Sequence, residues 1–184
     1  AKNEVWSIAS AGLVSLKNQI EKKGEKLGTW SNKITRGIIT GLNEAYIIDE
    51  QTYLALSKNA KNRPLLKKIT RGRDTRKYYC NDSERWMIIV GFGEHNNSIN
   101  NYPDIYAHLL SFKTKLENRG QVRNGQHHWL ELDNTPSKAF FAQFESPKIV
   151  FSEIVSEPQF CLEKDRRYPE ASSFFLVGSH LNWL

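Results

Sequence analysis

The sequence predicts an α+β domain in which a mixed or antiparallel sheet carries a few peripheral helices. Apolar runs typical of buried strands cluster in the second half of the 184-residue chain, whereas segments with helical spacing are few and scattered. With 39% hydrophobic and 25% charged residues, the chain can bury a sizeable core. We therefore expect one domain, with an N-terminal docking helix in residues 1–26 and a specificity core in residues 27–184.

Three helices are predicted from apolar spacing and end signals. The first begins after Ser10 and ends at Gly24, and it should dock on the core through Leu13, Leu16 and Ile20. A short helix should run from Arg63 to Ile69, because proline, here Pro64, is favoured in the first turn. The longest extends from Pro103 to about Asn118, with apolar positions at Ile105, Leu109, Phe112 and Leu116.

The predicted strands are short apolar runs bounded by turn residues. A strand–turn–strand is expected in Gly37–Asp49, with its turn at residues 40–43. Further strands are expected at Trp86–Val90, Trp129–Leu132, Lys148–Ile154, Phe160–Leu162 and Phe174–Val177. Two polar segments should be exposed loops, Gly91–Asn101 and Gln121–Gln126.

Positive charge is concentrated in one stretch of the sequence. Between Lys58 and Lys77 nine basic residues accompany a single acid, Asp74, so this stretch carries +8 where the whole chain carries +6. Its end is rich in arginine and aromatic residues, namely Arg71, Arg73, Arg76, Tyr78 and Tyr79. Most charge runs are simply solvated surface. Guanidinium groups suit phosphates and guanine edges, however, and aromatic rings can stack on bases, so this composition predicts a nucleic-acid contact surface.

No arrangement of residues in the sequence predicts catalysis. The Gly91-Phe92-Gly93 turn lacks the third glycine and the helix start of a pyrophosphate loop. Pro103-Asp104 is not followed by the acid-x-lysine pair of a metal-dependent nuclease, and the five histidines lack zinc-ligand spacing with either cysteine. We expect Cys80 and Cys161 to be free, buried thiols of a cytoplasmic protein. No apolar run reaches the roughly 20 residues that a membrane helix requires.

Four segments, taken in order, resemble one known family. They are Gly37–Asp49, Arg71–Tyr78, Tyr102–Arg119 and Glu145–Ile154, which read GIITGLNEAYIID, RGRDTRKY, YPDIYAHLLSFKTKLENR and ESPKIVFSEI. Together they resemble the C-terminal target recognition domain of TaqI-like N6-adenine DNA methyltransferases, especially as fused in Eco57I-type restriction–modification enzymes. Each segment alone is weakly specific, whereas the four in this order are fairly specific. The resemblance covers roughly residues 27–178.

The resemblance implies a DNA methylase specificity domain that docks on duplex DNA, reads a sequence and presents an adenine to a methyltransferase domain of the same prokaryotic polypeptide. The catalytic Asn-Pro-Pro-Tyr motif and the glycine-rich S-adenosylmethionine loop are absent from this sequence. We therefore expect a non-catalytic part of a longer enzyme, whose other domains use S-adenosylmethionine and, for cleavage, Mg²⁺. The expected DNA-contacting residues are Arg36, Thr40, Asn43, Lys67, Lys68, Arg71, Arg73, Arg76, Lys77, Tyr79 and Lys148.

Different roles are expected within this set of residues. Base readout requires side chains on turns or loops, and it is assigned to Arg71, Arg73, Asn43 and the Gly91–Asn101 loop. Sequence-independent phosphate contact is assigned to Lys67 and Lys68. Lys148 either snorkels towards a phosphate or only solvates the end of its strand.

Three other functions stay open on the sequence alone. The chain is also compatible with a domain like the specificity subunit of a type I restriction system. From different classes, a nucleic-acid-cleaving enzyme remains an alternative, as does an RNA- or protein-interaction domain whose basic stretch is incidental. Competition between duplex DNA and RNA separates the RNA-binding alternative from the leading one.

Overall fold

The computed structural model describes residues 10–30, 33–133 and 138–178. Within them the helices are α1 (Ala11–Lys23), α2 (Asn43–Tyr46), α3 (Glu50–Ser57), α4 (His95–Asn101), α5 (Pro103–Leu110), α6 (Lys113–Glu117), α7 (Gly120–Arg123) and α8 (Lys138–Phe144). The strands are β1 (Lys33–Arg36), β2 (Ile47–Asp49), β3 (Leu66–Thr70), β4 (Arg85–Ile88), β5 (Lys148–Ser152), β6 (Phe160–Glu163), β7 (Tyr168–Pro169) and β8 (Ser173–Val177). Short 3₁₀ turns occupy Leu27–Thr29, Ala60–Leu65 and Gly72–Asp74.

The described strands form two four-stranded sheets, and this confirms the predicted α+β class. The first sheet has the order β1-β8-β5-β6 and is antiparallel throughout. The second has the order β2-β4-β3-β7, in which only the pairing of β3 with β7 is parallel. The predicted strands at β4, β5, β6 and β8 are therefore confirmed.

One cluster of buried side chains connects the two sheets. At its centre the ring of Phe144, on α8, lies 4.6 Å from the ring of Phe175 on β8 and 5.0 Å from that of Tyr168 on β7. Phe144 and Phe175 are fully buried. Because aromatic side chains bury large areas, this contact is a principal connection between the sheets.

Helix α1 has the predicted bounds but not the predicted packing. Ser10 precedes it and Gly24 follows it, as expected. Its apolar side chains are exposed, however, at 60% for Leu13, 52% for Leu16 and 61% for Ile20. The expected docking of this face on the core is therefore wrong for the described residues. No helix among those residues is long and apolar enough to cross a membrane.

The segment Gly37–Asp49 is not the predicted hairpin. The strand before it, β1, pairs with β8 in the first sheet, whereas β2 pairs with β4 in the second. The segment therefore crosses between sheets, and a turn of helix, α2, replaces the first half of the expected second strand. The turn at Gly41 is confirmed: its φ is +73°, and the side chain of Asp133 occupies the space that a Cβ would need.

Tertiary contacts override local propensity at two further places. The predicted helix from Arg63 to Ile69 is wrong, because Leu66–Thr70 forms β3 between β4 and β7, and Pro64 lies in the 3₁₀ turn before it. The predicted strand at Trp129–Leu132 is also wrong. Its carbonyl groups accept hydrogen bonds from side chains instead: Tyr46 and Arg119 donate to the main-chain oxygens of residues 129 and 131.

Two predicted loops and one predicted helix differ from the structure in smaller ways. The expected loop Gly91–Asn101 contains α4, and the expected loop Gln121–Gln126 overlaps the end of α7. The helix predicted from Pro103 to Asn118 is divided into α5 and α6 around residues 111 and 112. Its apolar pattern is nevertheless confirmed, since Ile105, Leu109 and Leu116 are fully buried.

Arg119, the last residue of the third family-like segment, is a buried structural residue. Its side chain is 4% exposed and forms an ion pair of 2.8 Å with Asp133. It also donates to the main-chain oxygens of Leu116, Thr40, Trp129 and Glu131 at 2.7–3.1 Å. The planar guanidinium group can satisfy all these acceptors at once, which an ammonium group cannot.

The two cysteines are not free thiols, and that expectation is wrong. Cys80 and Cys161 are joined by a disulfide, with Cα atoms 6.1 Å apart across a sequence separation of 81. The fold brings them together because the main-chain N–H of Tyr78 donates to the oxygen of Phe160, which holds the segment before Cys80 against β6. The cytoplasmic location was inferred from free thiols. It stays a prediction, but the cysteines no longer support it.

Candidate functional site

A cleft of about 1060 Å³ lies between the turn that follows β3 and the loop that follows β5. Four arginines and three glutamates line it, together with small polar and apolar residues. We call it the arginine cleft. Its lining residues are Asn43, Glu44, Ile47, Arg71, Gly72, Arg73, Arg76, Arg85, Ser152, Glu153, Ile154, Val155, Ser156, Gln159, Glu170 and Ser172.

The arginine-bearing turn of the cleft is fixed at Gly72. The main-chain N–H of Gly72 donates to Ser172 Oγ at 2.9 Å, and its carbonyl oxygen accepts from Ser152 Oγ at 2.5 Å. A Cβ at this position would lie 2.6 Å from the carbonyl oxygen of Ser172. Glycine is therefore required by close approach, and the Arg71-Gly72-Arg73 order places one arginine on each side of a clamped backbone.

Arg71 and Arg73 have different environments. Arg71 forms a bidentate pair with Asp74, at 2.7 Å from Nε and 3.0 Å from Nη2, and this hydrogen bonding raises the pKa of the guanidinium group. Arg73 is exposed, and no described residue forms a hydrogen bond or ion pair with its guanidinium group. Arg73 is thus available to an anionic ligand, whereas Arg71 is committed to Asp74 and its side chain is only 21% exposed.

The other two arginines of the cleft hydrogen-bond to nearby carbonyl groups. Arg76 donates to the main-chain oxygens of Arg73 and Thr75, at 2.6 and 2.9 Å. Arg85 donates to the oxygen of Glu84 at 3.0 Å. Neither contact neutralises the charge of the guanidinium group, so both arginines contribute positive potential to the cleft.

The opposite wall is the β5–β6 loop, in which the sequence analysis named no DNA-contacting residue. Ile154 is 91% exposed at the cleft, and the neighbouring Val155 is 42% exposed. Glu153 forms an ion pair of 3.0 Å with Arg36, which also donates to the oxygen of Ala171. Arg36 therefore lies beside the cleft, where Glu153 and the carbonyl group of Ala171 hold its side chain.

Thr40 and Asn43 occupy one turn, but only Asn43 lines the cleft. The Thr40 side chain is buried and donates from its hydroxyl to Asn43 Oδ1 at 2.6 Å. Asn43 is exposed and lies among the lining residues. Thr40 thus orients Asn43 and has no exposed surface of its own with which to contact DNA.

Lys67 and Lys68 lie outside the cleft, on opposite faces of β3. Lys67 pairs with Glu145 at 2.8 Å, and Lys68 pairs with Asp82. The hydrogen bond from Lys68 lowers the pKa of Asp82. Burial acts to raise the pKa of Glu145, but hydrogen bonds from Lys67 and Tyr168 outweigh it, and the pKa is lowered. The consecutive basic residues of the sequence therefore do not form one continuous surface.

Lys148 is not a surface residue, which corrects the expectation that it snorkels to a phosphate or solvates a strand end. Its side chain is fully buried, and the ammonium group donates to Glu163 at 2.9 Å and to the oxygens of Phe144 and Ser146. Lys148 and Glu163 are direct cross-strand partners. The lysine is a paired, hydrogen-bonded cation inside the fold, as a buried charge must be.

Lys77 and Tyr79, the last predicted contacts, are exposed on the segment that continues from the arginine turn. Tyr79 is 58% exposed and Tyr78 is 80% exposed, with the Lys77 ammonium 5.3 Å from the Tyr78 ring centroid. Of the predicted site residues, the cleft therefore gathers Asn43, Arg71, Arg73 and Arg76. The sequence analysis missed Arg85 and Ile154, which only the tertiary fold brings to the same place.

The described residues contain no group of three or more His, Cys, Asp or Glu side chains that could hold a metal ion. Three histidines lie around residues 131–133 and form hydrogen bonds and ring contacts within the fold. His95 contacts Glu131 at 2.7 Å, His127 contacts Asp133 at 3.0 Å, and the rings of His95 and His128 stack at 4.3 Å. Burial lowers the pKa of His128.

Comparison with known proteins finds similarity to a type II methyltransferase and to part of a restriction-modification enzyme. No protein-family model matches the sequence. The chain is 23% identical over 148 residues to the type II methyltransferase M.MjaIV of Methanocaldococcus jannaschii, an alignment that covers 78% of this chain and 48% of that protein. Its fold is similar to part of the type IIL restriction-modification enzyme MmeI, solved in complex with DNA, with a TM-score of 0.61 and 10% identity over 85% of this chain. The chain spans about half of the methyltransferase and 20% of the MmeI chain.

Proposed function

We propose that this chain is a target recognition domain that binds duplex DNA through the arginine cleft. The observation that carries the proposal is Arg73, an exposed guanidinium group that has no partner among the described residues, on a clamped turn among three other arginines. A guanidinium group in this state can bind a phosphate or the O6 and N7 atoms of guanine without first breaking an ion pair. The similarity to M.MjaIV and to part of MmeI supports this choice over other polyanions.

Within the cleft, positioning and readout fall to different residues. Arg76 is held by carbonyl groups and presents its charge from a fixed position, which suits a phosphate, whereas the charge of Arg71 is balanced by Asp74. Arg73 and Asn43 have exposed side chains on turns, which suits base edges. The proposed contact surface leaves out Lys67 and Lys68, which pair with acids outside the cleft, and the buried Lys148, whereas Lys77 and Tyr79 extend it at one side.

The finer assignment is to the TaqI-like recognition domains of Eco57I-type enzymes. In this proposal the chain positions a target adenine for N6-methylation, and other domains of the same polypeptide supply the S-adenosylmethionine site and any Mg²⁺-dependent cleavage. This chain's own residues bind and orient DNA. The four family-like segments support the assignment, since two of them, Gly37–Asp49 and Arg71–Tyr78, contribute residues to the cleft and a third contributes Ser152, Glu153 and Ile154.

The test is a salt titration of binding to a fluorescently labelled 30-base-pair duplex. If about four to six phosphates are contacted, the slope of log affinity against log salt should be roughly −4 to −5. Arg73→Ala should weaken binding by roughly 1–3 kcal/mol. The matched control is Arg123→Ala, because Arg123 is an exposed arginine outside the cleft and its loss should leave affinity unchanged.

Four outcomes would contradict or revise the proposal. A salt slope near zero would show that the chain does not contact phosphates. Equal effects of Arg73→Ala and Arg123→Ala on affinity would show that the cleft is not the binding site. Preferential competition by duplex RNA over duplex DNA would reassign the surface to RNA. With S-adenosylmethionine or Mg²⁺ added, the purified chain should neither methylate nor cut the duplex, and reproducible activity would contradict the division of labour between domains.

A further inference from the structure

Two apolar side chains line the arginine cleft on the wall that faces its charged turn. Ile154 and Val155 follow the end of β5, and their side chains are 91% and 42% exposed. Single exposed apolar residues are ordinary on protein surfaces. Here two adjacent β-branched side chains border a cleft that four arginines also line, so a ligand that fills the cleft meets both kinds of side chain.

The backbone before Ile154 is held by the residue that also clamps the arginine turn. The main-chain N–H of Glu153 donates to the carbonyl oxygen of Ser172 at 3.0 Å, and the Oγ atom of Ser172 accepts from the N–H of Gly72 at 2.9 Å. Ile154 follows Glu153, and Arg73 follows Gly72. The two side chains therefore extend from backbone segments that one residue holds together, on the two walls of the same cleft.

The glutamates of the cleft have partners of their own. Glu44 pairs with Lys115 at 2.8 Å, and Glu153 pairs with Arg36 at 3.0 Å. Glu170 is only 9% exposed. These acids leave a cleft in which exposed cationic and apolar groups stand side by side. Base edges in the major groove of DNA offer the matching combination, because they present hydrogen-bond acceptors together with the C5 methyl group of thymine.

We propose that Ile154 and Val155 recognise C5 methyl groups of thymine in the duplex that the cleft binds, and so determine part of its sequence specificity. Cytosine and uracil lack this methyl group, which makes it a discriminating contact. β-Branched side chains are stiff at χ1, so they lose little rotamer freedom when they are covered. This inference rests on the proposed function, to which it adds the kind of base that the second wall selects.

The experiment compares thymine with uracil, which differ only in this methyl group. A 30-base-pair duplex pool with a random centre is first enriched for the sequences that the wild-type chain prefers. The preferred duplex is then synthesised with each thymine replaced in turn by uracil, and affinities are measured by fluorescence anisotropy. Replacement at one or two positions should weaken wild-type binding roughly fourfold, the effect of one methyl group that is no longer buried.

Ile154→Ala should remove the response to uracil at one or more of these positions, because the side chain that covers the methyl group is gone. Its thermal unfolding should match the wild type, since the side chain is almost fully exposed. Ile154→Val keeps a β-branched apolar side chain and should keep part of the response. The matched control is Ile34→Ala, because Ile34 is a 52% exposed isoleucine on β1 outside the cleft lining.

Wild-type affinity that no uracil replacement changes would overturn the inference, as would a preferred sequence without thymine or a pool in which no sequence is enriched. Equal responses of Ile154→Ala and Ile34→Ala to every replacement would also overturn it, because the methyl groups would then be recognised elsewhere. Concentration-dependent sedimentation that Ile154→Ala abolishes, without a change in the response to uracil, would assign the apolar pair to a second copy of the chain.

Failure of this inference and failure of the proposed function give different results. Duplex binding that depends on Arg73 but not on thymine methyl groups refutes only the role of Ile154 and Val155. A response to uracil that Ile154→Ala abolishes, in a chain whose duplex affinity is unaffected by Arg73→Ala, refutes only the role of Arg73.

Discussion

The hydroxyl group of Ser152 donates a hydrogen bond of 2.5 Å to the carbonyl oxygen of Gly72, 80 residues earlier in the chain. Ser152 ends β5 in the first sheet, and Gly72 begins the turn after β3 in the second. This buried contact joins the two walls of the arginine cleft. The position of Arg73 therefore depends on the packing of one sheet against the other as well as on its own turn.

Gly72→Ala should displace this turn. The added Cβ would lie 2.6 Å from the carbonyl oxygen of Ser172, and main-chain atoms cannot move aside as a flexible side chain does. We expect a loss of about 1–3 kcal/mol in the free energy of unfolding, as for overpacked sites, and weaker duplex binding. Urea denaturation and the anisotropy assay measure the two effects.

The control for this substitution is Gly120→Ala. A Cβ at Gly120 meets no atom within 4 Å, and the residue begins α7. Alanine there should be neutral or slightly stabilising. If Gly72→Ala leaves both stability and duplex affinity at the level of Gly120→Ala, the turn does not need the close approach that the geometry indicates.

Some of this architecture is predictable from the sequence because it depends on local pattern. The apolar runs predict β4 and β5, and the helical spacing predicts α5, because the conformation of these elements is determined by residues close to them in sequence. β3 escapes the pattern, because Lys67 and Lys68 interrupt its apolar residues and each finds its acid only in the tertiary fold. The burial of Lys148 cannot be predicted from the sequence either, because its partner Glu163 is brought to it by the tertiary fold.

The candidate site divides along the same line. The glycine and the charges predict a turn at Arg71-Gly72-Arg73, but they do not predict which of the two arginines lacks an acidic partner. Asp74 lies within reach of both, and the fold commits it to Arg71. The second wall of the cleft comes from a loop about 80 residues later, and no local feature of the sequence relates Ile154 to Arg73.

Arg119→Ala should be among the most destabilising substitutions in the chain. It removes the arginine partner of Asp133 and one donor to each of four main-chain oxygens. Breaking a buried pair in this way typically costs about 3–5 kcal/mol. Arg119→Lys keeps the charge but cannot reach all the acceptors, and we expect a loss of about 1–3 kcal/mol. Arg123→Ala, on the exposed end of α7, should change the free energy of unfolding by less than about 0.5 kcal/mol.

Acid should weaken the fold partly through Glu145. Hydrogen bonds from Lys67 and Tyr168 lower the pKa of this carboxyl group below its ordinary value of 4.5, against the opposing effect of burial. A group whose pKa is depressed by folding stabilises the protein above that ordinary value, and the contribution is lost as pH falls through the folded-state pKa. Since the side chain is 38% exposed, solvent screening limits the effect to about 1 kcal/mol or less.

Urea unfolding of the wild-type chain and of Glu145→Gln at pH 6 and pH 3.5 measures this contribution. The variant should lose less stability between the two pH values than the wild type does. Glu157→Gln, at an exposed position of the β5–β6 loop, should behave like the wild type. An equal pH dependence of wild type and Glu145→Gln would show that the Lys67–Glu145 pair contributes nothing measurable.

Reduction of the Cys80–Cys161 disulfide should destabilise the domain and loosen the segment that carries the arginines. The bond closes a loop with a sequence separation of 81, so it restricts the unfolded chain strongly, and its loss should cost about 2–4 kcal/mol. It also attaches the residue after Tyr78 and Tyr79 to β6, so proteolysis between residues 71 and 80 should become faster. Thermal unfolding with and without a reductant, together with limited proteolysis, measures both effects. The double variant Cys80→Ala with Cys161→Ala should resemble the reduced protein and be insensitive to reductant. A wild-type chain whose unfolding temperature does not change on reduction, with two free thiols confirmed by titration, would refute a stabilising role for the bond.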